Sequence, residues 1–270
     1  MRTLVDTMPS NRPEPITAIV AHELSRSNID IAALSETRLA GTGDLAEVGA
    51  GYTFFWSGKA ADEPRKAGVG FVIRTVLIPK LETFSKGIND RPMTMHVPLA
   101  GNAHLTLISA YAPTLTFPEE DKEQFYQVLG DTRRSMPGND KLLLMGDFNE
   151  RTGRNSGAWL TVMGPHGLGR ENANELLLLT LCSEKGLTIT NTLFKQPEIH
   201  RVTWMHPRSK HWHLIGYVIT RRRDIRDIVI TRAVRGAIAG PTMCCLSAEQ
   251  LFSWRVNTAV KPAARRRRWT

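Results

Sequence analysis

Four polar side chains stand where apolar runs end. Glu36 follows Ala32-Ala33-Leu34-Ser35, Tyr111 follows Leu105-Thr106-Leu107-Ile108-Ser109-Ala110, and Asp147 and Asn149 follow Leu142-Leu143-Leu144-Met145-Gly146. Apolar runs of this length read as buried strands, and polar groups at the carboxyl ends of such strands gather at one rim of a sheet core, where ligands usually bind. Asp147 and Asn149 are two apart, so in extended backbone their side chains face the same way. A carboxylate and an amide on one face suit a hard cation or a phosphate oxygen, and Glu36 suits Mg²⁺, which is often held by one or two carboxylates. Taken singly, each residue also has an ordinary structural reading. An acid just past a strand is a turn former or helix cap, and Tyr111 before Ala112-Pro113 is a half-buried ring with a wet hydroxyl.

The elements that must position these groups alternate between strand and helix. Residues 16–27 place Ile16, Ile19, Val20 and Leu24 on one helical face. Residues 29–34 read as a buried strand, as do 68–73 and 141–146, while 93–97 and 104–111 read as two strands joined by a turn at 99–102. Residues 118–134 open with Glu119-Glu120-Asp121 and close with Arg133-Arg134, matching the helix dipole at both ends. A second helix covers 171–185 and is closed by Gly186. Short strands are expected at 187–190, 202–204, 213–219 and 227–230. The class is α/β. Beyond about Thr231 the pattern decays, and residues 233–270 read as a divergent, weakly structured basic tail after a unit of residues 1–232.

Composition narrows the function classes. The chain has 270 residues, 41% of them hydrophobic and 23% charged, which is ordinary globular usage. Its greasiest stretch, Leu176–Cys182, is far shorter than the ~20 residues of a spanning helix, and the N-terminal stretch shows no run of signal-peptide length. Three cysteines, two of them adjacent, make no disulfide framework and suit a reducing compartment, nuclear or cytoplasmic. The net charge of +9 lies wholly in the last fifty residues, which hold 12 basic and 3 acidic residues against 23 of each before them. The basic character therefore says little about the body of the chain. Arg221–Arg223 read as a solvated charge run, and Arg265–Arg268 as either a phosphate contact or an import signal. His206, His211 and His213 match no zinc spacing. Gly164–Gly169 lacks the Lys-Ser/Thr of a phosphate-binding loop and reads as a plain loop.

In order along the chain, Leu34-Ser35-Glu36-Thr37-Arg38, Ser109-Ala110-Tyr111-Ala112-Pro113-Thr114 and Met145-Gly146-Asp147-Phe148-Asn149 together resemble the endonuclease/exonuclease/phosphatase superfamily. The segment from Val202 to Ile215, with Trp204-Met205-His206-Pro207-Arg208-Ser209-Lys210-His211-Trp212-His213, is similar to the endonuclease domains of non-LTR retrotransposons, which accompany reverse transcriptases, and to their craniofacial development protein 2-like relatives. The resemblance covers about residues 1–232. It implies a four-layer α/β sandwich of the DNase I-like type and hydrolysis of phosphodiesters with Mg²⁺ or Mn²⁺, with DNA as the usual substrate and partner. It also implies roles: Glu36 holds the metal, Tyr111 contacts the scissile phosphate, Asp147 orients or deprotonates the attacking water, and Asn149 hydrogen-bonds a phosphate oxygen.

The chain departs from that pattern in ways that bear on turnover. The family carries a strand with an Asn before Arg-Thr-Leu, whereas Met1 here precedes Arg2-Thr3-Leu4 directly. Where the family has Ile-Asp-Tyr-Val, this chain has Ile215-Gly216-Tyr217-Val218, and no histidine follows His213 to form the family's closing Asp-His pair. The expectation is a hydrolase fold with first and last strands missing or divergent, impaired turnover and marginal stability. The alternative is an inactive remnant that binds nucleic acid or a protein partner.

Overall fold

Strand β4 (Val69–Arg74) shows how the layers form. Val69, Phe71 and Ile73 pack toward a second sheet, while Val72 packs toward a helix on the other side. A strand buried on both faces needs no polar alternation, so its sequence is a continuous apolar run. In the computed structural model of the protein, residues 16–64, 66–81, 83–170, 175–234 and 245–250 are described.

In chain order the elements are α1 (Ile16–Arg26), β1 (Ile31–Ser35), β2 (Thr42–Glu47), β3 (Tyr52–Ser57), β4, β5 (Thr83–Gly87), β6 (Pro92–Pro98), β7 (His104–Tyr111), α2 (Glu119–Arg134), β8 (Lys141–Asp147), α3 (Glu175–Lys185), β9 (Leu187–Ile189), β10 (Trp204–Met205), β11 (Trp212–His213), β12 (Gly216–Arg221), β13 (Ile228–Val234) and β14 (Cys245–Gln250). One antiparallel sheet has the order β1-β4-β3-β2, and a mixed sheet has the order β5-β6-β7-β8-β12-β9. The pair β7–β8 is parallel, as it must be when α2 carries the chain back across the sheet. The smaller pairs are β10–β11 and β13–β14.

Three clusters of buried side chains define four layers. Val20, Ala21 and Leu24 of α1 meet Tyr52, Phe54 and Val72. Phe71 and Ile73 meet Met95, Leu105, Leu107, Leu143 and Val218 between the sheets. Ile108, Leu142, Leu144 and Ile219 meet Phe125 and Leu129 of α2 and Leu178 and Cys182 of α3. The order is helix, sheet, sheet, helix, which is the expected sandwich. Each such fully buried Leu, Ile or Phe stabilises the fold by roughly 1.5–3 kcal/mol.

Strand β13 runs to Val234 and pairs with β14. Ala233 pairs with Leu246 and Val234 with Cys245. Residues 245–250 carry no periodic signal; their strand is set by a partner, not by local pattern. Arg265–Arg268 and residues 1–15 lie outside the described residues. The strands expected at 202–204 and 213–219 are interrupted: β10 and β11 are two residues each, and β12 begins at Gly216. Among the described residues β1 pairs only with β4, and its five residues are partly buried.

Candidate active site

Strand parity sets the direction of the central side chains. On β7, Leu105 and Leu107 face the inter-sheet layer, so Tyr111 does as well. On β8, Leu143 and Met145 face that layer, and so does Asp147. The parallel register places Tyr111 beside Asp147. From the facing sheet, β1 ends at Ser35, and the chain turns so that Glu36 enters the same space, 8% exposed.

Serine hydroxyls bridge the two sheets there. Ser35 Oγ donates to Ala110 O (3.1 Å) and accepts the Asp147 N–H (3.3 Å), and Ser109 Oγ donates to Leu34 O (3.0 Å). The turn after β1 is held by Thr37 N–H to Gly68 O and Arg38 N–H to Ala67 O, both 3.0 Å. Glu36 and Arg38 both have φ of 55°, a left-handed conformation that costs a non-glycine residue energy and clusters at functional sites.

Asn149 reaches the site by a different route from the one its spacing suggests. The chain leaves extended backbone after Asp147, and Asn149 adopts φ of 52°, which Asn tolerates. Its N–H donates to Asp147 Oδ1 (2.9 Å), and its side-chain Nδ2 donates to Ala112 O (2.8 Å). A turn capped by the Asp147 carboxylate, rather than strand alternation, brings the pair together. Ala112 N–H to Asp147 O and Phe148 N–H to Ile215 O tie the same loop to β7 and to the entry of β12. Glu36, Tyr111, Asp147 and Asn149 therefore converge on one rim.

Burial pushes the Asp147 carboxyl up to about 7, and the Glu36 charge adds to this, against the lowering effect of the Asn149 N–H. The Tyr111 hydroxyl is raised by burial and by the charges of Glu36 and Asp147, partly offset by Arg91 and Arg38. One Glu36 oxygen pairs with Arg38, while Oε2 is buried without a hydrogen-bond partner. A buried carboxylate oxygen with no donor is costly unless a cation sits on it. The donors here are carboxylate oxygens, the type hard divalent cations take. The residues fit such an ion.

Two residues at the site escape a reading of the sequence. Arg38 forms the ion pair with Glu36, and Arg91 lies over the rings of Tyr111 (5.7 Å) and Phe117 (5.0 Å) while donating to Tyr111 O (3.1 Å). Arg91, Phe117, Lys59 and Lys66 line a cleft of about 400 Å³ beside Tyr111. The Ser-Glu-Thr-Arg spacing hints at Arg38; nothing local marks Arg91. On β10 and β11, Trp204 stacks near His213 (5.9 Å), and burial with the charges of Arg151, His206 and His211 lowers the His213 pKa. Among the described residues, a close group of metal-ligand side chains is found at His96, His104 and Asp140.

Residues 10–177 match the model of the endonuclease/exonuclease/phosphatase family. The chain belongs to that family. Over 226 residues the chain is 30% identical to craniofacial development protein 2 of Bos taurus and 29% identical to that of Tragulus javanicus, covering 82% of this chain in each case. These alignments cover 36% and 37% of the relatives, so the chain spans about a third of their length. Among solved structures, the APE2 catalytic domain of Xenopus laevis superposes with a TM-score of 0.64 at 15% identity, covering 90% of each chain. An AP endonuclease from Archaeoglobus fulgidus gives 0.60 at 15% identity, over 87% of this chain and 94% of that one. The endonuclease domain of TRAS1, a telomere-specific non-LTR retrotransposon, gives 0.57 at 15% identity, over 87% and 91%. These likenesses establish the DNase I-like α/β fold. Among the described residues no helix is long and apolar enough to cross a membrane.

Proposed function

We propose that this chain is a phosphodiester hydrolase domain that uses Mg²⁺ or Mn²⁺ and acts on DNA, an endonuclease of retrotransposon origin whose turnover is impaired. The observation that carries the reading is the buried, unpartnered Glu36 Oε2 in the same space as Asp147 and Tyr111. Glu36, with Asp147 nearby, would hold the ion. The bound ion would neutralise charge on the non-bridging phosphate oxygens.

The chain's own groups do the rest. Asp147, raised to about 7, is poised near neutrality to take a proton from a water or orient it for in-line attack. Tyr111 stays protonated and donates its hydroxyl to a phosphate oxygen. The Asn149 amide, fixed by the turn at Asp147, contacts a second phosphate oxygen. Arg38 and Arg91 add positive charge where a phosphate would lie.

Impairment follows from two features. Gly216 offers no carboxylate beside Asp147, and residues 214–270 hold no histidine. Removing members of a catalytic unit costs orders of magnitude, and the losses do not add. The same features favour a second reading, a DNA-binding domain without turnover. The two separate by experiment. Slow Mg²⁺-dependent nicking of supercoiled plasmid, abolished by Glu36→Gln, supports the hydrolase. Salt-sensitive DNA binding with no cleavage by folded protein supports the second reading.

A further inference from the structure

A second cluster with metal-binding chemistry sits at the other end of the central sheet. His96 lies on β6, His104 opens β7, and Asp140 immediately precedes β8. His104 and Tyr111 are the two ends of one eight-residue strand, so this cluster is about 23 Å from the active-site rim at ~3.3 Å per residue. The register that pairs His96 with Thr106 and Leu105 with Lys141 brings the three residues together from neighbouring strands.

The geometry is compact. One donor atom from each of His96, His104 and Asp140 lies within 4.8 Å of the others. The imidazoles stack at 4.6 Å with an interplanar angle of 8°. His96 Nε2 is 2.6 Å from Asp140 Oδ2, and Thr106 Oγ1 donates to that same oxygen at 2.8 Å. The Asp140 side chain is 6% exposed and that of His96 is 30% exposed, so the cluster has a buried carboxylate and an open mouth.

The His96–Asp140 pair is joined by a second imidazole stacked on the first, so three donors of metal-ligand type share one small space. Two charged rings face to face repel, whereas a neutral ring has a lone pair to offer a metal. Two imidazole nitrogens and one carboxylate oxygen with a solvent-facing fourth position form the ligand set of a four-coordinate Zn²⁺-class ion, and imidazole selects against Mg²⁺. Tetrahedral bonds of 2.0–2.1 Å put donors about 3.4 Å apart. The Thr106 hydroxyl holds the carboxylate as outer-shell partners do. Arg221 and Arg223 donate to the Asp140 backbone carbonyl. They fix Asp140, but their charge opposes a cation, so the affinity falls short of that of a closed structural zinc site.

We propose that His96, His104 and Asp140 form a transition-metal site of the Zn²⁺ class that clasps β6, β7 and β8, separate from the active site. The test uses the whole chain carrying Glu36→Gln, stripped with chelator and titrated with Zn²⁺ by calorimetry and thermal melting. One Zn²⁺ per chain, a raised melting temperature reversed by chelator, and no comparable effect of Mg²⁺ are expected. His104→Gln should weaken the binding by roughly tenfold or more. As a measurement that needs no variant at this site, Cu²⁺ bound at one equivalent should show hyperfine coupling to two ring nitrogens. Absence of Zn²⁺ binding, a Cu²⁺ signal without two nitrogens, or equal affinity in folded His104→Gln would overturn the proposal.

Discussion

Gly216 stands directly opposite Asp147 in the ladder between β12 and β8. Val218, two residues on, faces the layer between the sheets, so a side chain at position 216 would point toward the same space as Asp147. The chain thus keeps the strand, the register and the central carboxylate, and offers only a hydrogen where a neighbouring carboxylate would touch it. Backbone contacts still hold the position: Thr203 Oγ1 accepts the N–H groups of Ile215 and Gly216, each at 3.0 Å.

Restoring that carboxylate alone should not restore turnover. Gly216→Asp places a second acid beside Asp147, and a like charge disfavours ionisation. The apparent pKa of the pair's upper step should rise by roughly one unit, and stability should fall above pH 7. Melting curves from pH 5 to 9 in chelator check this. A variant more stable than wild type at pH 9 would contradict it.

Asp147 itself should make stability depend on pH. Its folded-state pKa of about 7 lies above that of the unfolded chain, so the folded state holds the proton more tightly. Stability from this group is full at low pH, falls as pH rises from about 4 to 7, and is flat above. Asp147→Asn removes the dependence and should gain on wild type by on the order of 4 kcal/mol across that window, at ~1.4 kcal/mol per unit. Added Mg²⁺ should shrink the difference by stabilising the ionised carboxylate. Denaturant titrations at pH 5 and 8 give the comparison, and a gap that does not change with pH would count against a buried, raised carboxyl.

Gly146 sets the approach of β8 to β7. A Cβ at this position would lie 1.9 Å from Ala110 O, a backbone atom that cannot give way. Gly146→Ala must therefore push Asp147 away from Tyr111. A loss of at least ~2 kcal/mol is expected from the overpacking, together with loss of any metal-dependent cleavage. Unchanged melting would show that the strands move more easily than their contacts indicate.

Tyr217 is fully buried, and its hydroxyl is the post around which the loop after Asp147 wraps. It lies 3.1 Å from Glu150 O and 3.0 Å from Leu214 O and accepts the Thr152 N–H at 3.1 Å. Tyr217→Phe keeps the ring and removes the post. A cost of about 1–3 kcal/mol is expected, because buried backbone groups lose their partner. Equilibrium unfolding measures it, and a neutral effect would mean that the loop is held by other contacts.

Much of this architecture is legible in the sequence, for physical reasons that differ by element. Strands β4, β7 and β8 are apolar runs because both faces are buried, β1 because its apolar side chains are partly buried against the layers on either side, and α2 announces itself by acids in its first turn and Arg133 and Arg134 in its last. Strand β3 escapes because Phe54 packs toward α1 while Phe55 packs toward the other sheet, leaving no alternation to read. Strand β2 escapes for the opposite reason, being mostly exposed at an edge. The residues of the rim, Glu36, Tyr111 and Asp147, are legible as strand ends. What joins them is not: the Ser35 hydroxyl crosses between sheets, Asn149 arrives through a left-handed turn, and Arg91 comes from a loop 20 residues before the ring it covers.

The most direct test of the account is nicking of supercoiled plasmid and of an abasic duplex by purified, folded protein in Mg²⁺, beside Asp147→Ala. Slow cleavage that requires the metal and disappears in Asp147→Ala is the expected result. Cleavage that survives in Asp147→Ala, or no cleavage by folded wild-type protein at any divalent-metal concentration, would contradict the assignment of hydrolysis to this rim.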